Sequence, residues 1–134
     1  MIERDPLSAL ARRHGQYDRK AYEFVLAGLE ATVSRLPARR HISGQELLKG
    51  LSLYSRKAFG PLARFVLNEW GVHHCRDLGQ IVFHLVEAGQ LSKTDEDSID
   101  DFNNGYDFEE EFERNFDWLE EIRDNLAEGR LRKS

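Results

Sequence analysis

The sequence predicts a mainly α protein, a compact multi-helix domain in which residues 1–134 form a single unit. Three observations carry this reading. Five segments repeat their apolar residues at helical spacing. Each segment is opened or closed by a capping residue, a proline or a glycine. Hydrophobic residues make up 40% of the 134-residue chain against 32% charged, enough apolar surface for a core and too much for disorder.

Asp5-Pro6 reads as an N-cap followed by proline at the first helical position, opening a short helix that stops at Gly15. From Asp18 to Leu36, Tyr22, Val25, Leu26, Leu29, Val33 and Leu36 lie on one helical face, and Pro37 ends the segment. Arg39-Arg40-His41-Ile42 is a connector with room for a residue or two of strand. Ser43-Gly44-Gln45-Glu46 fits a capping box and opens a helix carrying Leu47, Leu48, Leu51, Tyr54 and Ala58. Gly60-Pro61 closes that helix and starts another, which runs to Trp70 with Leu62, Phe65 and Val66 inward and Gly71 as its cap. The next helix spans residues 77–88, buries Leu78, Ile81, Val82, Leu85 and Val86, and ends at Gly89.

Beyond Gly89 the pattern changes. Residues 90–93 read as a short strand, 95–104 as a polar loop, and Asn104-Gly105 as a turn. Tyr106-Asp107-Phe108 is either a second strand or the start of a last, acid-rich helix to Glu128, with Phe112, Phe116, Leu119, Ile122 and Leu126 available for packing. Residues 114–134 form a C-terminal helical extension with a frayed basic tail. Helices at 44–58, 61–70 and 77–88 followed by a β-hairpin near residues 90–108 would make the arrangement winged-helix-like.

Charge is unevenly distributed. Residues 1–65 carry a net +6 and residues 66–134 a net -11. Such polarity fits two halves that neutralise each other, or surfaces that meet charged partners. The segment 95–113 holds ten acids and no Lys or Arg, interleaved with Phe102, Tyr106, Phe108 and Phe112. The rings are expected to anchor this segment while the acids face solvent. Arg35, Arg39, Arg40 and His41, with Arg12, Arg13, Arg19 and Lys20 nearby, form the best candidate basic patch.

Few residues suggest chemistry. His73-His74-Cys75, with His84 further on, are competent zinc ligands, but three adjacent residues do not converge on one ion and no paired spacing supports them. Cys75 precedes the expected start of a helix, which would lower its thiol pKa, yet no orienting acid or oxyanion hole accompanies it. EF-hand registers beginning at Asp95 or Asp101 fail at position 5, which is Ile99 or Gly105. No phosphate-cradling glycine motif occurs. Catalytic, cofactor-binding and metal sites are therefore all read as none.

The runs AYEFVLAGLEAT (21–32), RRHISGQELLKGL (39–51), FGPLARFVLNEWGV (59–72), DLGQIVFHLVEAGQLSKTDEDS (77–98) and the DF…YDFEEEF pattern (101–112) resemble the "Minf" family of small uncharacterised bacterial proteins. The resemblance covers roughly residues 17–113 and implies no catalytic residues, because no activity goes with the family. The single cysteine rules out an internal disulfide, which suits a reducing compartment. No apolar run nears the roughly 18 residues of a membrane span, and the N-terminus lacks the apolar core of a signal peptide. A cytoplasmic setting without membrane contact is expected. The function expected is a non-enzymatic protein-protein interaction module whose acidic C-terminal surface meets a basic partner or a second copy. The alternative is a nucleic-acid-associated, winged-helix-like protein using the basic N-terminal half. The would-be recognition helix is expected to expose Asp77, Gln80, His84 and Glu87, and its acids, with Asp95, Glu96, Asp97, Asp100 and Asp101 of the would-be wing, argue against duplex binding through the usual face.

Overall fold

Helix α1, Pro6–His14, starts where the Asp5 side chain accepts from the Leu7 amide at 3.1 Å, and Gly15 ends it in the left-handed region. The computed structural model describes residues 5–92, 99–103 and 105–114. Helix α2, Arg19–Ser34, is capped by Asp18, and α3, Gly44–Phe59, by the Ser43–Glu46 capping box. A 3-10 turn at Gly60–Leu62 leads into α4, Ala63–Glu69, and α5 runs from Cys75 to Glu87. A 3-10 turn at Ile99–Phe102 and a π-helical turn at Glu110–Arg114 complete the order.

Packing centres on α2, which touches α1, α3 and α5; α4 and its preceding turn lean on α3, and the 99–102 turn lies against α5 and α3. Tyr22, Val25, Leu48, Leu51, Leu67, Leu78, Ile81, Leu85 and Phe112 are almost fully buried between these elements. Gly71 holds φ at +89°, and a Cβ there would lie 2.5 Å from the Gln16 carbonyl oxygen. Both constraints require glycine where the chain leaving α4 passes the residues before α2. No helix among the described residues is long and apolar enough to cross a membrane.

The β-hairpin expected near residues 90–108 does not form, and no strand occurs among the described residues. After Gly89, at φ +76°, the amides of Gln90 and Leu91 both point back to the Leu85 carbonyl, at 2.8 and 3.3 Å. They close the end of α5, so neither is available to a ladder. On the other side, the Asp107 carboxylate accepts from the Glu110 amide at 3.0 Å and the chain turns helical at Phe108. An aspartate in that role favours a helix start over a strand. The winged-helix-like arrangement therefore lacks its wing. Residues 39–42 also form no strand. Lys93, the acids Asp95–Asp97 and the C-terminal extension from residue 115 lie outside the described residues.

Helix α4 turns a different face inward from the one expected. Ala63 and Leu67 are buried, whereas Leu62 and Phe65 are 61% and 63% exposed. The 3-10 turn at Gly60–Leu62 sets the register: it places the small Ala63 against α3, and Leu67 follows one turn later on the same side.

Candidate functional site

A groove of about 530 Å³ lies between the end of α2 and the second half of α5. Leu29 and Val33 of α2 form one wall, Val82, Phe83 and Val86 of α5 the other. Ile42, Gly44 and Phe102 form one end and Leu91 and Ser92 contribute to the other. Its size and largely apolar lining are those of a site that receives a ligand or a few partner side chains.

Local sequence explains each wall. The apolar residues of α5 cover more than one face. Leu78, Ile81 and Leu85 fill the core, which leaves Val82, Phe83 and Val86, rotated by roughly a quarter turn, half-buried along the groove. Phe102 is held close to α5 because position 79 is glycine: a Cβ there would lie 2.7 Å from Phe102 Cγ. The Gln45 side-chain amide donates to the Asp101 carbonyl at 2.5 Å and ties the 99–102 turn to the start of α3.

The rim is charged and internally matched. Arg39 grips Glu30 with two bonds of 3.0 Å, which raises the arginine's pKa and lowers the glutamate's. Arg40 holds Glu46 at 3.2 and 2.8 Å. That guanidinium, helped by the Ser43 amide, holds the Glu46 carboxyl near about 2. The expected basic patch is thus a rim of paired charges at Arg39 and Arg40.

The cluster His73, His74, Cys75 and His84 is not brought together. His73 and His74 are exposed, with His73 Nδ1 3.0 Å from the Asn68 side-chain oxygen. Cys75 points inward, its Sγ within 3.3 Å of both the backbone amide and the carbonyl of Tyr106. Burial pushes the thiol up to about 11, opposite to the lowering expected from a helix N-terminus. Desolvation of the thiolate outweighs the dipole here. His84 faces away, its ring stacked on that of His14 with centroids 3.5 Å apart. No group of three metal-competent side chains occurs among the described residues.

Asp77, Gln80 and His84, expected to be exposed on a recognition helix, are half-buried against two tyrosines. The Tyr17 hydroxyl donates to Asp77 Oδ1 at 2.7 Å and has Gln80 Oε1 at 2.5 Å. One proton cannot serve both acceptors, so turning the Gln80 amide to donate to Tyr17 satisfies the group. Burial raises both phenol pKa values, that of Tyr22 to about 12. Sequence reasoning missed the groove and the His14–His84 stack. The width of the α5 apolar stripe signals the former; nothing local signals a contact between residues 70 positions apart.

The aromatics of the acidic segment are anchored as expected. Phe102, Phe108 and Phe112 are buried, and Tyr106 donates to the Leu48 carbonyl at 2.8 Å. Among the acids, Asp107 and Glu110 are exposed, while Glu111 turns in and accepts from the Ser52 hydroxyl. Compared with known proteins, the chain matches no family model, no curated protein and no solved structure.

Proposed function

We propose that the protein is a non-enzymatic interaction module whose groove takes the apolar stripe of a basic, amphipathic segment of a partner protein. The observation that carries this is the largely apolar groove between α2 and α5, taken with the acid-rich sequence that follows Ser92. Leu91-Ser92 and Asp101-Phe102 both line it, and the sequence between them contains Asp95, Glu96, Asp97 and Asp100 with Lys93 as the only cation. An apolar floor in a chain whose next segment is acid-rich in sequence favours a ligand with apolar residues on one face and Lys or Arg flanking them. Because Arg39 and Arg40 are each matched by a glutamate, the rim does not repel such a segment.

The reading as a nucleic-acid-associated protein has less support, since phosphate binding would have to compete with Glu30 and Glu46 for those guanidinium groups. The resemblance of residues 17–113 to the "Minf" family is proposed on its sequence runs alone and assigns no role to any residue.

Fluorescence anisotropy with a labelled Lys/Leu amphipathic helix tests the proposal, with a Lys/Ser peptide of equal charge as control. The Lys/Leu peptide should bind more tightly, and Val86→Asp should weaken it about tenfold or more. Val86→Asp adds a negative charge, so peptide binding that merely follows charge would strengthen instead, and that outcome sinks the proposal. Sedimentation distinguishes a second copy as the occupant: a dimer dissolved by Val86→Asp would replace the foreign partner. Tighter binding of duplex DNA than of the peptide at physiological salt would favour the alternative.

A further inference from the structure

The turn of α5 opposite the groove carries a second constellation. His14, in the last turn of α1, lays its ring flat on His84, with an interplanar angle of 2° and centroids 3.5 Å apart. Both side chains are half-buried. Tyr22 Oη lies 2.8 Å from His84 Nδ1, a hydrogen bond whose donor depends on the ring's tautomer, and the Tyr17 ring stands 6.0 Å away. The charged groups acting on His84 are few. Arg13 of α1 adds positive charge beside His14, Glu87 of α5 opposes it, and the Asp77 carboxylate is bonded to Tyr17. Burial, His14 and Arg13 together hold His84 below its ordinary pKa.

We propose that this stack is a proton-sensitive latch: α1 is docked on α5 while the two imidazoles share at most one proton, and is released as the second arrives. Two imidazolium rings at stacking distance repel strongly where solvent is partly excluded. Among the described residues, the acid acting on His84 is Glu87, which stands against the added charge of Arg13. The sign follows from linkage. In the released state His84 recovers the ordinary imidazole affinity of about 6.5 and binds more protons than in the docked state. Docking is therefore fully favoured above that value and weakens as pH falls below it. Three other attachments of α1 do not titrate in this window. Leu7 and Leu10 are buried apolar contacts, and the Arg19 guanidinium, with the Ser8 hydroxyl, holds the Asp5 carboxyl at about 2. Release would uncover Leu10 and the Tyr17–Tyr22 surface, an apolar face distinct from the groove.

Amide hydrogen exchange, corrected for the chemical rate at each pH, tests the latch on the full chain. Between pH about 7.5 and about 5.0, protection of residues 7–14 should fall about tenfold relative to α3, which contains no histidine. His14→Phe, which keeps a flat ring and removes one proton site, should make the fall clearly smaller, leaving only what the burial of His84 and Arg13 contribute. Should that variant fold poorly, ring-proton titration of the wild-type histidines by NMR reads the same coupling. The His84 ring should then titrate below the ordinary imidazole value, the direction set by its burial and by the charges of His14 and Arg13. An equal fall in α1 and α3, an undiminished fall in His14→Phe, or titration of His84 at the ordinary value would each overturn the proposal.

Discussion

Asp77 divides its carboxylate between two tasks. Oδ2 accepts from the amides of His73 and His74, at 2.9 and 3.1 Å, and so caps α5; Oδ1 accepts from the Tyr17 hydroxyl. Asp77→Ala should lower stability by about 1–3 kcal/mol, since the cap and a half-buried acceptor are lost together. Tyr17→Phe should cost only about 1 kcal/mol, and the double variant less than the sum, because the shared bond is counted in both. Chemical denaturation of the four proteins measures this. Cys75 offers a second check at the same scale. With its thiol pushed up to about 11 and its Sγ bonded to the Tyr106 backbone, it should resist iodoacetamide in the native protein at neutral pH. Alkylation as fast as in the unfolded chain would mean that the 105–106 segment does not cover it.

At the scale of elements, α5 does three things with three faces. Leu78, Ile81 and Leu85 enter the core, Val82, Phe83 and Val86 line the groove, and Asp77, Gln80 and His84 meet the tyrosines. The segment after it is positioned by aromatic rings. Phe108 and Phe112 pack edge to face at 5.1 Å and Phe102 lies on Gly79. Phe102→Ala and Phe108→Ala should each cost about 3–5 kcal/mol. Asp100→Asn should stay within roughly 0.5 kcal/mol, as for an exposed surface change. Gly79→Ala should destabilise by about 1–3 kcal/mol despite the better helix propensity of alanine, because Phe102 has to move. Thermal melts rank these variants; an Asp100→Asn loss equal to that of Phe108→Ala would make the segment an electrostatic clamp.

At the scale of the whole molecule, charge pairing operates within the basic half among the described residues. The pairs Arg19–Asp5, Arg19–Glu23, Arg39–Glu30 and Arg40–Glu46 each join residues of the N-terminal half. Asp5 and Glu46 are both held near about 2 by arginine side-chain bonds. A carboxyl depressed in the folded state stabilises it above the ordinary value of about 4 and loses that contribution as pH falls towards 2. The contribution of these two groups to the denaturation midpoint should accordingly hold level from pH about 6 to about 4.5 and decline below it, separate from the earlier fall that His84 brings. In Asp5→Asn and Glu46→Gln variants the decline should be shallower, and an unchanged acid limb would show that other carboxyls dominate.

Helix positions were legible in the chain because caps and breakers are local. Asp5-Pro6, Asp18, the Ser43–Glu46 box, Gly15 and Gly89 act within a turn or so of where they stand. The anchoring rings among the acids were legible for a related reason: a large apolar side chain in a polar stretch has nowhere to go but the core. The wing was misread because a short run such as Gln90-Leu91-Ser92 carries no period, and the Leu85 carbonyl captured its amides. Helix α4 was misread because a 3-10 turn shifts the face by a fraction of a turn, which apolar spacing alone does not record. By itself, the sequence determined the helical class, most helix boundaries and the uneven charge, all of which depend on near neighbours along the chain. Only the tertiary structure decided that α2 and α5 leave a groove between them, that Arg39 and Arg40 close on glutamates, and that His14 meets His84. The groove and the His14–His84 stack each depend on two segments far apart in sequence being brought together by a shared core, and no local pattern encodes that distance; the arginine pairs span only 9 and 6 residues but depend on how the connector between α2 and α3 folds back.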